Sequence, residues 1–159
     1  MTRPLYLASR RGRRGYTIVE LLAAMVIISV LGGFVVPKIK SVVLKAKIAR
    51  AIGDIRAIQA DIMAFEAQDQ PLPPDLATIG RNLTDPWGYA YVYNPFPPND
   101  EHRVPEGARR DRFLVPLNST FDLYSVGPDG TTAAPLSGPG ADDIVRANDG
   151  GYIGPGSAF

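Results

Sequence analysis

Residues 15–22 read Gly15-Tyr16-Thr17-Ile18-Val19-Glu20-Leu21-Leu22, and they open an apolar run that continues without a charge from Leu21 to Val36. From Tyr16 to Val36 the run is long enough to cross a bilayer core, which needs about 20 apolar residues. It exceeds the roughly 7–15 residues of a secretory h-region, and no small-x-small cleavage site in a polar break follows it. Upstream, residues 1–15 carry Arg3, Arg10, Arg11, Arg13 and Arg14 and no acid, which favours a cytoplasmic N-terminal side. The chain's net charge of +1 is set by this leader. The remainder is net acidic and offers no basic patch of the kind that binds nucleic acid.

Glu20 is the anomaly in the run. A carboxylate within a membrane span costs about 2.5–3.5 kcal/mol on insertion scales, so it needs a partner or a reason. Its place near the end of the span gives it a route to interfacial water. A cut between Gly15 and Tyr16 gives it a partner, because the new α-amino cation would lie one helical turn before it. That amine could neutralise the carboxylate of the same subunit or of a neighbour.

Downstream, Pro37 removes a backbone hydrogen bond and is expected to kink or locally melt the helix, with Gly32 and Gly33 adding freedom just before it. Ile39, Val42, Val43, Ala46, Ala49, Ile52, Ile55, Ile58, Ile62 and Phe65 then recur in steps of three and four, an amphipathic helix that Gln68–Pro74 terminates. Residues 16–68 as one helix would extend roughly 80 Å at about 1.5 Å per residue. A domain of this size cannot bury that length, so bilayer and partners are needed. The segments are therefore a leader (1–15), a transmembrane helix (16–36), an amphipathic helix (37–68) and a β-rich region (69–159). In the last, Tyr89–Tyr93, Arg112–Leu117 and Phe121–Val126 read as short strands. The fold class is α+β, a long helix packed on a small antiparallel sheet of about three strands. Pro95–Asp111 reads as a surface loop, and the Gly-rich tail from Asn148 as a turn or free end.

The chain has no cysteine and one histidine, His102. Disulfides, thiolate metal sites and a Cys nucleophile are excluded, and His102, between Glu101 and Arg103, reads as a loop residue. No Gly-x-Ser-x-Gly, nucleotide loop or nucleophile–base pair points to an enzyme.

A basic leader, Gly15, an aromatic Tyr16 and Glu20 at what would be the fifth position after the cut together resemble the prepilin peptidase motif. That motif belongs to type IV pilins and type II secretion pseudopilins; tyrosine stands here where phenylalanine is usual. Asp85-Pro86-Trp87-Gly88 followed by Tyr89–Tyr93 resembles a segment of the major pseudopilins, and Phe121–Gly130 is similar to their last strand and the loop after it. The resemblance implies cleavage after Gly15, N-methylation of Tyr16, and assembly roles for Glu20 and Pro37. It implies a single-pass inner-membrane protein with a periplasmic C-terminal domain, embedded in inner-membrane lipid. It also implies a homo-polymer in a helical pseudopilus that helps drive export, with minor pseudopilins, the prepilin peptidase and an inner-membrane assembly platform as partners. A calcium ion is implied too, held by Asp129, Asp142, Asp143 and the carbonyls of Val126 and Gly140. Calcium takes roughly six to eight oxygens, and metal binding could order a Gly/Pro-rich loop that has little to bury. The stretch Thr131–Ala141 is longer than the family's loop. On the residues alone, Asp129-Gly130 could equally be a turn, and Asp142-Asp143 could cap a helical turn before Ile144. Two other functions stand beside the pseudopilin reading: a type IV pilin for adhesion or motility, against which the lack of cysteine weighs, and a signal-anchored periplasmic binding protein.

Overall fold

The computed structural model describes residues 15–97 and 104–159, with residues 35–37 described by their backbone alone. The leader arginines and His102 lie outside the described residues. The chain divides into two compact units, one ending at Ser41 and one running from Val42 to Phe159. A single helix, α1 (Ile18–Glu66), supplies residues to both. It remains helical through Pro37, where the sequence suggested a kink or local melting. A turn at Ala67–Asp69 ends it, with Asp69 in the left-handed region at φ 58°.

In the first unit, the described side chains of α1 are almost all exposed, Ile18, Val19, Leu21, Leu22, Met25 and Phe34 among them. Among the described residues, α1 is the one helix long and apolar enough to cross a membrane, and none of its apolar stretch is buried within the chain.

The second unit is built on one stripe of the same helix. Ala51, Ile55, Ile58 and Ile62 are fully buried, at steps of four, three and four, and pack with Tyr91, Phe121, Leu123 and Ile144. Ile48 and Ile52 flank this stripe, whereas Ala49, read as part of the apolar face, points to solvent. The partner is an antiparallel sheet of four strands in sequence order: β1 (Val92–Pro95), β2 (Phe121–Ser125), β3 (Ile144–Ala147) and β4 (Tyr152–Pro155). Val92 lies opposite Tyr124, Tyr124 opposite Val145, and Val145 opposite Gly154. Strands β1 and β4 form the outer edges.

The sheet is covered on both faces. Away from the helix, Leu117, Leu136, Val145 and Ala147 form a second cluster. Because both faces are buried, β2 and β3 show no alternation between buried and exposed residues; β3 is buried throughout.

Three expectations about the sheet need correcting. Arg112–Leu117 is not a strand; Phe113 is 90% exposed there, and Pro116 cannot donate to a ladder. Tyr89–Tyr93 is displaced, with a single bridge between Thr84 and Ala90 preceding β1 at Val92. Phe121–Ser125 is not the last strand, since β3 and β4 follow, and the tail read as a turn or free end opens on a turn at Asn148–Gly150 but then forms β4. The surface loop read over Pro95–Asp111 also has buried members, Phe96, Ala108 and Arg109.

Buried polar links fix the helix to the sheet. The Tyr91 hydroxyl donates to Asp54 at 2.9 Å. Arg146 donates from Nε to the Gln59 side chain at 3.0 Å and from Nη1 to the Phe121 carbonyl at 3.0 Å, while its guanidinium lies 4.0 Å over the Phe121 ring. The apolar stripe contributes more to stability than these links do. Ile58→Ala should lower unfolding stability by about 2–5 kcal/mol in denaturant titration, the range for an isoleucine cavity that the surroundings cannot refill. A loss below about 0.5 kcal/mol, the level of surface substitutions, would show that Ile58 is not in the core.

Candidate functional site

Two regions carry the residues singled out by sequence, one in each unit. In the first, Gly15, Tyr16 and Thr17 precede α1 in non-helical conformation. Tyr16 is 85% exposed, and a Cβ added at Gly15 would meet nothing within 4 Å, so among the described residues nothing packs on the Gly15–Tyr16 bond.

Thr17 is the N-cap of α1, and Glu20 is its third residue. The Glu20 amide donates to Thr17 Oγ1 at 3.2 Å, while Glu20 Oε2 accepts from the Thr17 amide at 3.0 Å and from its hydroxyl at 3.2 Å. This reciprocal pair is a capping box, which satisfies amides that the first helical turn leaves free. The acid in the apolar run thus has a local partner in the uncut chain, a backbone donor one residue beyond Tyr16. The signal was present in the Thr17-x-x-Glu20 spacing.

In the second unit, Asp85 organises its segment. Its Oδ1 accepts from the Trp87 and Tyr89 amides, each at 2.9 Å, and its Oδ2 accepts from the Ser125 hydroxyl at 2.5 Å. Gly88, at φ 101°, closes this turn. The Asp85–Gly88 turn is thereby tied to the end of β2, just where the loop of residues 126–143 begins. Gly130 presses against Tyr89: a Cβ there would come within 2.4 Å of the phenol ring, and Gly130 already sits at φ 69°.

The residues read as calcium ligands are not gathered at one point. Both carboxylate oxygens of Asp129 accept from Thr131, from its amide at 2.8 Å and its hydroxyl at 2.9 Å. Asp142 faces Asp129, its Oδ2 3.4 Å from the Asp129 amide. Asp143 is fully buried and turned elsewhere: its Oδ2 accepts from the Thr132 hydroxyl at 2.6 Å and pairs with the guanidinium of Arg109. The Gly140 carbonyl lies against Gly156, where an added Cβ would come within 2.6 Å of it. Among the described residues no three acidic or histidine side chains converge. As arranged, this donor set does not converge on a calcium ion: Asp143 is held by a guanidinium through Oδ2 alone, its Oδ1 being buried without a hydrogen-bond partner, and Asp129 is committed to its own turn.

Sequence reasoning missed the polar knot around that pair. Arg109 donates its amide to Asp122 at 2.6 Å, and Asn118 bridges Asp122 and the Arg146 carbonyl at 2.9 Å each. Burial pushes the Asp122 carboxyl above its ordinary range, opposed by these donors and by Arg109 and Arg146. No local pattern announces a cluster whose directly bonded partners lie up to 34 residues apart.

Residues 10–36 match the family model of the prokaryotic N-terminal methylation motif. A relative described as type II secretion system core protein G, from Pseudomonas aeruginosa, is 30% identical over 129 residues, covering 76% of this chain and 87% of its own. Proteins of the same description from Escherichia coli K12 (29% over 141 residues, 74% of this chain and 83% of theirs) and Dickeya chrysanthemi (27% over 125 residues, 76% and 80%) are also similar. No solved structure gives a match of comparable significance.

The capping box yields a direct test. Thr17→Ala should open the first turn of α1 by about 0.5–2 kcal/mol, read as faster amide exchange at Glu20 in the full chain in detergent micelles. Unchanged exchange at Glu20 would mean that the cap contributes nothing.

Proposed function

This chain belongs to the family of the type II secretion system core protein G, the major pseudopilins, and from that we propose that it is a structural subunit of a secretion pseudopilus. In this reading it is cut by prepilin peptidase between Gly15 and Tyr16 and N-methylated at Tyr16. It is held in the inner membrane by the first part of α1, with its C-terminal domain in the periplasm. It then polymerises through α1, with minor pseudopilins and an inner-membrane assembly platform, into a fibre that helps drive export.

The observation that carries the reading is the exposure of α1 from Ile18 to Phe34, an apolar surface that no other part of the chain covers among the described residues. At about 25 cal/mol per Å² such a surface is costly in water. Lipid relieves that cost for a monomer, and helix–helix contact relieves it for a polymer. The same helix therefore suits both states.

The capping box supports a role for Glu20 in the passage between them. Before the cut, its carboxylate already points back past the start of α1 to Thr17. Cleavage places an α-amine on Tyr16, the adjoining residue, and α-amines ordinarily stay protonated to about pH 7.7–8.0. The carboxylate needs little movement to meet that cation in its own subunit, or to exchange it for that of a neighbour in the fibre. Charge neutralisation in a medium of low dielectric rewards such a pair strongly and penalises an unmatched carboxylate.

Two measurements test the proposal. Intact mass of the membrane-extracted protein should correspond to a chain beginning at N-methyl-Tyr16; a mass that retains the leader arginines would sink it. Glu20→Ala should leave the amount of membrane-inserted protein unchanged and abolish fibres seen by electron microscopy. Normal fibres from that variant would remove Glu20 from the assembly step.

A further inference from the structure

The loop of residues 126–143 joins β2 to β3 and has little apolar surface to bury, so some other source of order is required. That source is visible in the contacts of Arg109. Its Nη1 donates to the Thr132 hydroxyl at 2.7 Å and to the Ala133 carbonyl at 2.5 Å, and its Nη2 pairs with Asp143. The first two partners lie midway along the loop and the third at its end, next to β3. Thr132 also donates to Asp143, which closes a three-membered polar ring. The guanidinium lies 4.2 Å over the face of Tyr124 in β2, and Arg109 is 1% exposed.

The backbone delivers Arg109 to this place. The Arg110 amide donates to the Ala134 carbonyl at 3.0 Å, and the Leu136 amide donates back to the Arg110 carbonyl at 3.1 Å. The segment carrying the cation is thus laid alongside the loop it organises, while Leu117 donates its amide to the Arg109 carbonyl at 2.8 Å behind it. A fixed guanidinium gathers carbonyl, hydroxyl and carboxylate oxygens from separate points of a loop. A hard divalent cation recruits the same classes of oxygen.

We propose that Arg109 is the resident cation of this loop and takes the place of a calcium ion, so that residues 126–143 are ordered without metal. A divalent ion seeking Asp143 would have to displace a buried guanidinium from it or approach a like charge at close range. The two remaining carboxylates are already used: the exposed Asp129 by its own Asx turn with Thr131, and the half-buried Asp142 through its Oδ2, which lies 3.4 Å from the Asp129 amide. The inference stands on the loop's geometry and does not depend on whether the chain assembles.

Thermal unfolding of the full chain in detergent micelles, followed by Trp87 fluorescence, tests it with calcium and with a chelator. The midpoint should be the same in both. A calcium site filled at roughly 100-fold its dissociation constant would raise Tm by about 10 °C. Any reproducible calcium-dependent rise in the unaltered protein would overturn the proposal. The clamp itself is read by amide exchange at Thr131 and Leu136, with and without calcium. Arg109→Met should speed exchange at both amides roughly 10-fold under both conditions. If that variant does not fold, Thr132→Val, which keeps the shape and removes only the hydroxyl, reports on the same ring and should speed exchange at Thr131. Loop protection that survives the substitution that folds, or that falls only when calcium is removed, would show that Arg109 is not the organising cation.

Discussion

Ile55, Ile58 and Ile62 meet Phe121, Leu123 and Ile144 across one face of the sheet, and every other arrangement in the second unit follows from that contact. The strands are only four or five residues long, too short to stand alone, and a helix laid on them supplies the missing apolar face. Once the stripe fixes the helix, Asp54 and Gln59 are brought to Tyr91 and Arg146. The same helix carries a second apolar surface, from Ile18 onward, with no counterpart among the described residues. One covalent element therefore answers to two surroundings, the inside of a small domain and, in the proposed function, the inside of a membrane or fibre.

The far face of the sheet solves a different problem. It is roofed by loops rather than by a helix, and loops bring backbone polar groups that must be satisfied. Arg109, Asn118 and Asp122 do this from buried positions, and Asp143 pairs with Arg109. Burying charge is expensive unless each group finds a partner, and an ion pair removed from water stabilises little by itself. Its effect here is on geometry, because Arg109 satisfies Thr132, Ala133 and Asp143 together only if the loop lies in one place. Arg146 acts similarly at the helix side, where the Phe121 ring covers its plane.

The parts legible in the sequence were those whose determinants are local and periodic. The stripe of α1 was visible because 3.6-residue spacing survives whatever packs on it. β2 was visible because Phe121, Leu123 and Tyr124 are apolar or aromatic in a short run. β3 was hidden by Arg146, a charge that becomes acceptable only through Gln59 and Phe121, far away in the chain. Gly154 and Pro155, residues that usually end strands, hid β4. Arg112–Leu117 had the composition of a strand but not its surroundings, and Phe113, Leu114 and Val115 face outward. For the site, Glu20 stood out as a charge in an apolar run, while its partner Thr17 was overshadowed by the hydropathy around it. Arg109 was illegible because its value lies in where Thr132 and Asp143 end up, which no window of sequence contains.

The two outer strands of the sheet each finish on a proline, Pro95 in β1 and Pro155 in β4, and neither exceeds four residues. A proline presents no amide to an incoming strand, and so short an edge offers few hydrogen bonds even where amides remain. Subunits of a fibre are crowded side by side at very high local concentration, the condition under which exposed sheet edges join and grow into aggregates. A domain with such blunt edges is protected from that failure. Lateral growth of the sheet is blocked, which in the proposed fibre leaves association to the helix.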